Sequence, residues 1–181
     1  QKYKAKKQFG QNFLKDANII KKILTNAQLN KTDVVLEIGP GQGAMTELLI
    51  EQAQKVFAIE LDKDLFDFLN DKNYKNFELI QGDCLKKDWK LPHLTPNKLI
   101  ANIPYNITSP IIFKMLDYYS QFETIILMMQ EEVGERIISK HNSKTYGILA
   151  PILQRFYSIT KIAKLSPQLF NPPPKVNSIV L

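Results

Sequence analysis

The sequence is poor in residues that form disulfides or bind metals, with one cysteine, Cys84, and 2 histidines among 181 residues. A lone cysteine excludes an internal disulfide framework, and two distant histidines give no cluster of metal ligands. No apolar run approaches the length of a membrane span, and the basic amino-terminal stretch lacks the apolar segment of a secretory signal. We therefore expect a cytoplasmic protein without a metal or a membrane partner.

Positive charge exceeds negative charge, with 24 Lys and Arg against 18 Asp and Glu. The net charge of +6 suits nucleic acid or another anionic partner, although many proteins share such a balance. Five lysines lie within the first 15 residues, among aromatic side chains. They predict either a solvated arm or an arm that contacts phosphate groups.

Residues 34–46, VVLEIGPGQGAMT, predict a strand, a glycine-rich turn and the start of a helix. Open α/β sheets build nucleotide pockets at this point, because glycine permits a tight turn and a close ligand. The helix amino terminus then offers N–H groups to an anionic group. The turn satisfies the dinucleotide fingerprint G-x-G-x-x-G/A, yet Glu37 and the extra Gly43 resemble motif I of S-adenosylmethionine (SAM) methyltransferases. The turn alone leaves both ligands open.

Acidic residues follow the next two predicted strands. Glu60 ends the second strand, where a carboxylate can accept both hydroxyls of a ribose, and Asp62 is better placed to cap the next helix. Asp83 follows the third strand, where its carboxylate could accept a bond from an adenine amine. Cys84 is small enough for the ring to lie flat beside it, and without a local His or Lys it is predicted to pack rather than to attack.

The residues after the fourth predicted strand, Asn102-Ile103-Pro104-Tyr105, suit chemistry on an exocyclic amine. Such an amine is a weak nucleophile, because its lone pair is delocalised into the ring. Asn102 supplies a carbonyl acceptor for an amine proton, and Pro104 leaves nearby backbone carbonyls free to accept another. Tyr105 offers a ring on which a base can stack, and Phe170 in the proline-rich loop 166–175 offers a second ring or a core side chain.

Strands and helices alternate along most of the chain, which predicts an α/β fold with a mostly parallel, doubly wound sheet and a late antiparallel hairpin. The late elements are a buried strand at 122–129, a helix from 130, a polar loop at 141–144, and strands at 157–163 and 176–181. The last strand has no polar closing segment. We interpret residues 1–181 as one catalytic domain, and as a fragment.

Eight stretches in order resemble the rRNA adenine dimethyltransferase family of the KsgA type: QNFL, EIGPGQGAMT, IELD, QGDC, NIPYN, QEEVGER, YGILA and FNPPPKVNS. The resemblance implies a Rossmann-like SAM-dependent methyltransferase fold and the transfer of two methyl groups to each target adenine. The residues that it assigns to SAM are Gln11, Asn12, Leu14, Gly39, Glu60, Asp83 and Asn102. From the glycine turn and the residues after the third strand we add Gly41 and Cys84 to the predicted cofactor site. The residues that it assigns to the base are Asn102, Pro104, Tyr105 and Phe170.

The family has two close branches, and the stretch from QEEVGER to YGILA resembles the one that acts on small-subunit rRNA during ribosome assembly. The partner expected is then rRNA in a pre-ribosomal small subunit, bound by a monomer. The alternatives are an Erm-like methyltransferase of large-subunit rRNA that confers macrolide resistance, and an rRNA-binding assembly factor or transcription-factor-like relative with catalysis secondary. Family members carry a helical carboxy-terminal domain, so we expect this stretch to bind SAM well and rRNA poorly.

Overall fold

A computed structural model of the chain describes residues 3–140 and 147–181. The polar loop expected at 141–144 lies outside the described residues. The strands are β1 (Phe13–Leu14), β2 (Val34–Ile38), β3 (Lys55–Glu60), β4 (Phe77–Gln81), β5 (Lys98–Asn102), β6 (Thr124–Gln130), β7 (Ala163–Leu165), β8 (Phe170–Asn171) and β9 (Ser178–Val180). The helices are α1 (Ala17–Ala27), α2 (Ala44–Gln52), α3 (Lys63–Asn70), α4 (Thr108–Asp117), α5 (Glu131–Ile138) and α6 (Leu149–Phe156).

Seven strands form the central sheet in the order β4-β3-β2-β5-β6-β9-β7. The first five in this order are parallel, and β9 pairs antiparallel with both β6 and β7. The predicted doubly wound sheet with a late antiparallel pair is therefore confirmed. The chain reverses direction across the sheet between β2 and β5, so the glycine turn after β2 and the Asn102 turn after β5 lie side by side. Ligands of open α/β sheets bind at such switch points.

Apolar side chains cover both faces of the sheet, because adjacent residues of a strand point to opposite faces. Leu36 packs in the cluster with α4, α5 and α6, while Val35 packs in the cluster with α1 and α2. Both side chains are fully buried. Strands buried on both faces explain the continuous apolar runs of the sequence. No helix within the described residues has the length and apolar character needed to cross a membrane.

Two side-chain caps begin helices as predicted. Asp16 accepts a hydrogen bond from the Ile19 N–H at the start of α1, and Asp62 accepts one from the Asp64 N–H at the start of α3. Each carboxylate satisfies a donor that the first helical turn leaves without a partner. The position of Asp62 at the start of α3 also brings it beside the end of β3, where Glu60 lies.

The carboxy-terminal elements differ from the prediction. The strand expected at 157–163 is wrong for most of its length, since pairing begins only at Ala163. The loop expected at 166–175 contains a short 3-10 helix, Pro167–Leu169, and then β8. Strand β8 forms because it pairs antiparallel with β1 of the amino-terminal arm, across more than 150 residues of sequence. The strand propensity of neighbouring residues cannot predict a pairing between segments so far apart in the sequence.

A buried ion pair closes the end of the sheet opposite the glycine turn. The Lys98 ammonium lies 2.9 Å from an Asp33 carboxylate oxygen, and it donates hydrogen bonds to the carbonyls of Ala27 and Gln28 at the end of α1. Burial raises the pKa of Asp33, but hydrogen bonds from Lys98 and Asn97 outweigh that effect and leave the pKa lowered. The pair fastens α1 to β5.

Candidate active site

The glycine turn is packed on two sides, which explains why glycine occupies it. Gly39 has φ of +73° and Gly41 has φ of +59°, in the left-handed region. A Cβ on Gly39 would lie 2.8 Å from the Asn102 backbone oxygen, and one on Gly41 would lie 2.9 Å from the Phe13 ring. The turn is therefore held between the end of β5 and the amino-terminal arm. Any larger residue would push one of them away.

Two cavities adjoin this turn. The first, here the inner cavity, has a volume of about 230 Å³ and extends from the turn to Lys15 and Ile23 of α1. The second, here the NIPY cavity, has a volume of about 90 Å³ and lies over the Asn102 turn. They share a wall, so they form one continuous site. The shared residues are Phe13, Gly39, Gly41, Asn102 and Met128.

Two buried carboxylates lie near the turn. Glu60 lines the NIPY cavity and is 7% exposed, while Glu37 lines the inner cavity and is 4% exposed. Burial raises the pKa of each carboxyl to about 7. Glu37 accepts a hydrogen bond from the Thr46 hydroxyl of α2, whereas Glu60 accepts one of 3.0 Å from the Asp62 N–H. Glu60 thus keeps lone pairs for a ligand in the cavity.

Asn102 ends β5 and contributes to both cavities. No group within residues 3–140 and 147–181 hydrogen-bonds its side-chain amide, so its carbonyl oxygen is available as an acceptor. The Ile103 N–H donates to the Met128 carbonyl at 3.0 Å, which fixes the turn against β6. The Pro104 carbonyl accepts from the Ile107 N–H at 3.1 Å. The expectation that this carbonyl is free is therefore wrong, and the Ile103 carbonyl is the better second acceptor.

Tyr105 and Phe170 both line the NIPY cavity, yet their environments differ. Tyr105 is half-buried, and its hydroxyl lies 3.3 Å from the Ser178 hydroxyl of β9. Phe170 is 2% exposed and packs in the core beside Leu14. Tyr105 can present a ring face to a base, while Phe170 presents little surface. Stacking on Phe170 stays a prediction.

The amino-terminal arm forms the outer wall of the site. Asn12 lines the NIPY cavity, and its amide donates to the Gly10 carbonyl at 3.2 Å. Leu14 lines the inner cavity and is buried. The Gln11 amide bonds inside the protein, because its nitrogen donates to Asp62 at 2.8 Å and its oxygen accepts from the Tyr3 hydroxyl at 2.7 Å.

Asp83 and Cys84 do not line either cavity. Asp83 follows the edge strand β4 and accepts a hydrogen bond from the Leu85 N–H at 2.9 Å. Cys84 is buried, and its carbonyl accepts from the Trp89 indole N–H at 3.0 Å. Burial raises the pKa of the Cys84 thiol to about 11, which disfavours the thiolate. These observations favour packing for Cys84, and contact of either residue with a cofactor stays a prediction.

The largest cavity described, of about 710 Å³, lies elsewhere, between β6 and residues 157–162. Its walls are mainly apolar, and none of the predicted site residues lines it. Its size therefore says nothing about the chemistry at the glycine turn.

Sequence reasoning missed three contributors to the site. Phe13 packs on Gly41, Met128 forms part of the wall between the two cavities, and Ser178 meets the Tyr105 hydroxyl. Phe13 lies inside the QNFL motif, so the motif itself carried a usable signal. Met128 and Ser178 reach the site only through sheet pairing, which local patterns do not reveal.

A sequence profile described as "Ribosomal RNA adenine dimethylase" matches residues 2–181. The chain belongs to the ribosomal RNA adenine dimethylase family. The predicted family is thereby confirmed. Relatives named "Ribosomal RNA small subunit methyltransferase A" are 44% identical over 180 residues in Syntrophotalea carbinolica and 43% identical over 183 residues in Clostridium botulinum. Each alignment covers 99% of this chain, but 68% and 66% of the relative. The chain thus spans about two thirds of the length of these relatives.

Solved structures of the family have the same fold. A dimethyladenosine transferase from Plasmodium falciparum superposes with a TM-score of 0.86 at 34% identity, covering 92% of this chain and 61% of that one. The 23S rRNA methyltransferase ErmE superposes with a TM-score of 0.79 at 30% identity, covering 93% and 68%. Both structures superpose closely on this chain, so the fold alone does not distinguish a dimethyladenosine transferase from a 23S rRNA methyltransferase.

Proposed function

We propose that the protein dimethylates the exocyclic amine of adenines in small-subunit rRNA, with SAM as the methyl donor. The observation that carries the proposal is the Asn102 turn. Its side-chain amide has no partner within residues 3–140 and 147–181, and it shares one site with the glycine turn and Glu60. This combination supports methyl transfer to an amine at the junction of the two cavities.

The site residues fit SAM better than a dinucleotide. The Glu60 carboxylate at the end of β3 can accept the ribose hydroxyls of either ligand. Glu37 is a buried acid two residues before Gly39, and its negative charge would oppose a pyrophosphate more than the single carboxylate of SAM, which also carries an ammonium group. Helix α2 begins at Ala44, and the preceding Gly43 has no capping side chain, so backbone N–H groups of the first turn can meet the methionine carboxylate.

SAM, when bound, supplies a methyl group that its sulfonium makes electrophilic. The protein then has to orient the amine and to release its lone pair from the ring. The Asn102 side-chain carbonyl and the Ile103 backbone carbonyl can each accept one amine proton. The gain comes mainly from orientation, so no strong general base is needed and the proton can leave to water.

Tyr105 contributes the platform for the base. The bond between its hydroxyl and Ser178 fixes the ring direction, and its partial exposure leaves ring surface for stacking. An adenine in a duplex would have to flip out of the helix, so an adenine in a hairpin loop is the more accessible target. The excess of lysine in the arm supports an RNA backbone beside this opening.

The names of the relatives favour the small-subunit branch, since those at 44% and 43% identity are small-subunit methyltransferases by name. The likeness to ErmE supports a second candidate, methylation of large-subunit rRNA. We favour the first because identity to the small-subunit enzymes reaches 44%, against 30% to ErmE. The proposed partner is rRNA in a pre-ribosomal small subunit in the cytoplasm, bound by a monomer.

The deciding experiment offers two substrates to the protein expressed from its complete gene. Unmethylated small subunits and protein-free large-subunit rRNA are each incubated with SAM labelled in the methyl group, and the labelled nucleoside is identified after digestion. Dimethyladenosine from the small subunit is the expected result. The same label from large-subunit rRNA alone would establish the second candidate. Absence of label from both, with SAM binding intact, would overturn the proposal in favour of an rRNA-binding assembly factor.

A further inference from the structure

Asp62 joins the amino-terminal arm to the wall of the cofactor site. Its carboxylate accepts hydrogen bonds from the Tyr3 hydroxyl, from the Gln11 amide at 2.8 Å and from the Lys6 ammonium at 2.9 Å. Lys6 also pairs with Asp64 in the first turn of α3. Asp62 is 1% exposed, while its partner Lys6 is partly exposed, so these bonds lie at the edge of the buried region.

The electrostatics agree with a strong attachment. Burial raises the pKa of Asp62, but hydrogen bonds from Tyr3, Gln11 and Lys6 outweigh it and hold the pKa at about 2. The attachment therefore persists across the physiological pH range. Asp62 also caps α3, which fixes the anchor rigidly to the sheet.

The arm held in this way lies over the cofactor site. Residues 10–13, which include the attached Gln11, line the NIPY cavity, and Phe13 packs against Gly41. Past them, β1 pairs with β8, so the arm is fastened on both sides of the cavity. The NIPY cavity measures about 90 Å³. Pockets that enclose drug-sized ligands measure roughly 300–1,000 Å³, and the NIPY and inner cavities together reach the lower end of this range, with the arm as one wall.

We propose that Asp62 is a positioning residue that fastens the arm over bound SAM, acting through Lys6 and Gln11. The inference rests on the proposed function, because it requires a SAM site at Glu60 and the glycine turn. It gives Gln11 a second role, because its amide holds the arm through bonds within the protein. The Asp62 contacts keep the arm over the site and so slow the release of the cofactor.

The test measures SAM dissociation by stopped flow and SAM affinity by calorimetry, in variants that change the arm and leave Asp62 in place as the cap of α3. Lys6→Ala should raise the dissociation rate by about fivefold, since the partly exposed ion pairs with Asp62 and Asp64 are lost. Gln11→Leu should raise it by about tenfold, because bonds to Asp62, Tyr3 and the Lys6 N–H are lost together. Lys6→Arg keeps the charge and should restore the rate of the wild type.

Matched controls come from exposed neighbours in the arm. Lys7→Ala removes the same charge and Gln8→Leu makes the same side-chain change, and neither should alter SAM release. Hydrogen exchange of residues 9–14 without SAM should accelerate in Lys6→Ala and not in Lys7→Ala. Equal SAM release from the wild type, Lys6→Ala and Gln11→Leu would overturn the inference and leave the proposed function standing. Equal acceleration by Lys7→Ala would also overturn it, since charge alone would then be the cause. A wild type that does not bind SAM would overturn the proposed function itself.

Discussion

Replacing Glu60 by glutamine should remove a pH dependence from SAM binding. The pKa of Glu60 is raised from 4.5 to about 7 by burial, so a large share of the carboxyl is protonated near neutral pH. The ionised form accepts the ribose hydroxyls best, and binding of SAM below pH 7 must therefore release a proton. Affinity of the wild type should rise about tenfold per pH unit below about pH 7 and level off above it. The glutamine variant should bind with no such slope.

The loss of SAM affinity in Glu60→Gln at high pH follows from the hydrogen bonds that the ionised carboxylate would make to the ribose. A hydrogen bond to a charged group contributes about 1.5–3 kcal/mol, so Glu60→Gln should weaken SAM binding by roughly 10- to 100-fold at about pH 8. Calorimetry between about pH 6 and pH 8, in buffers of different ionisation enthalpy, measures affinity and proton release together. Equal slopes in the wild type and Glu60→Gln would assign the proton to another group, Glu37 or SAM itself, and refute the reasoning.

Stability provides an independent check on the same carboxylate. A group whose pKa is raised by folding favours the protonated form in the folded protein, so its ionisation opposes folding. The free energy of unfolding should therefore fall as pH rises from 4.5 to about 7, by up to about 3 kcal/mol for Glu60. Glu60→Gln should be more stable than the wild type at about pH 8 in urea unfolding. If Glu60→Gln is less stable than the wild type at about pH 8, interactions within the folded protein must stabilise the ionised Glu60 carboxylate, which would contradict this prediction.

Three further substitutions test the scaffold and the base platform. Gly134→Ala should lower the unfolding free energy by about 1–3 kcal/mol in urea titration, because the new Cβ would lie 2.1 Å from Ile179; a more stable variant would contradict this packing. Lys98→Met should lower it by about 3–5 kcal/mol, since Asp33 would stay buried without its partner, and an unchanged midpoint would contradict this. Tyr105→Ala should raise KM for RNA about tenfold through lost stacking, with SAM affinity unchanged, and an unchanged KM would remove Tyr105 from the base platform.

The sequence predicted the part of the site that lies at strand ends. Gly39, Glu60 and Asn102 each follow a buried strand, and parallel strands place such residues at one edge of the sheet. The same reasoning predicted the sheet and the two aspartate caps. These features depend on short-range patterns, which local sequence carries.

The remaining features depend on contacts between distant segments. The bond from Gln11 to Asp62 spans 51 positions, and the pairing of Phe13 with Asn171 spans still more. No periodic pattern in the sequence identifies residues that contact each other over such distances. The amino-terminal arm could therefore be interpreted from its sequence as a solvated tail. The role of the Pro104 carbonyl was wrong for a related reason, because the 3-10 turn that uses it depends on backbone conformation rather than residue type.

The central claim is that Asn102 orients the amine, and single-turnover methylation of small subunits tests it most directly. The rate is compared for the wild type, Asn102→Ala and Asn106→Ala, the last being an exposed asparagine of the same turn. Asn102→Ala should lower the rate by about 100-fold or more while SAM affinity changes little, because an acceptor for the reacting amine is lost. Asn106→Ala should keep the rate of the wild type. A fully active Asn102→Ala, with SAM bound as in the wild type, would contradict the account.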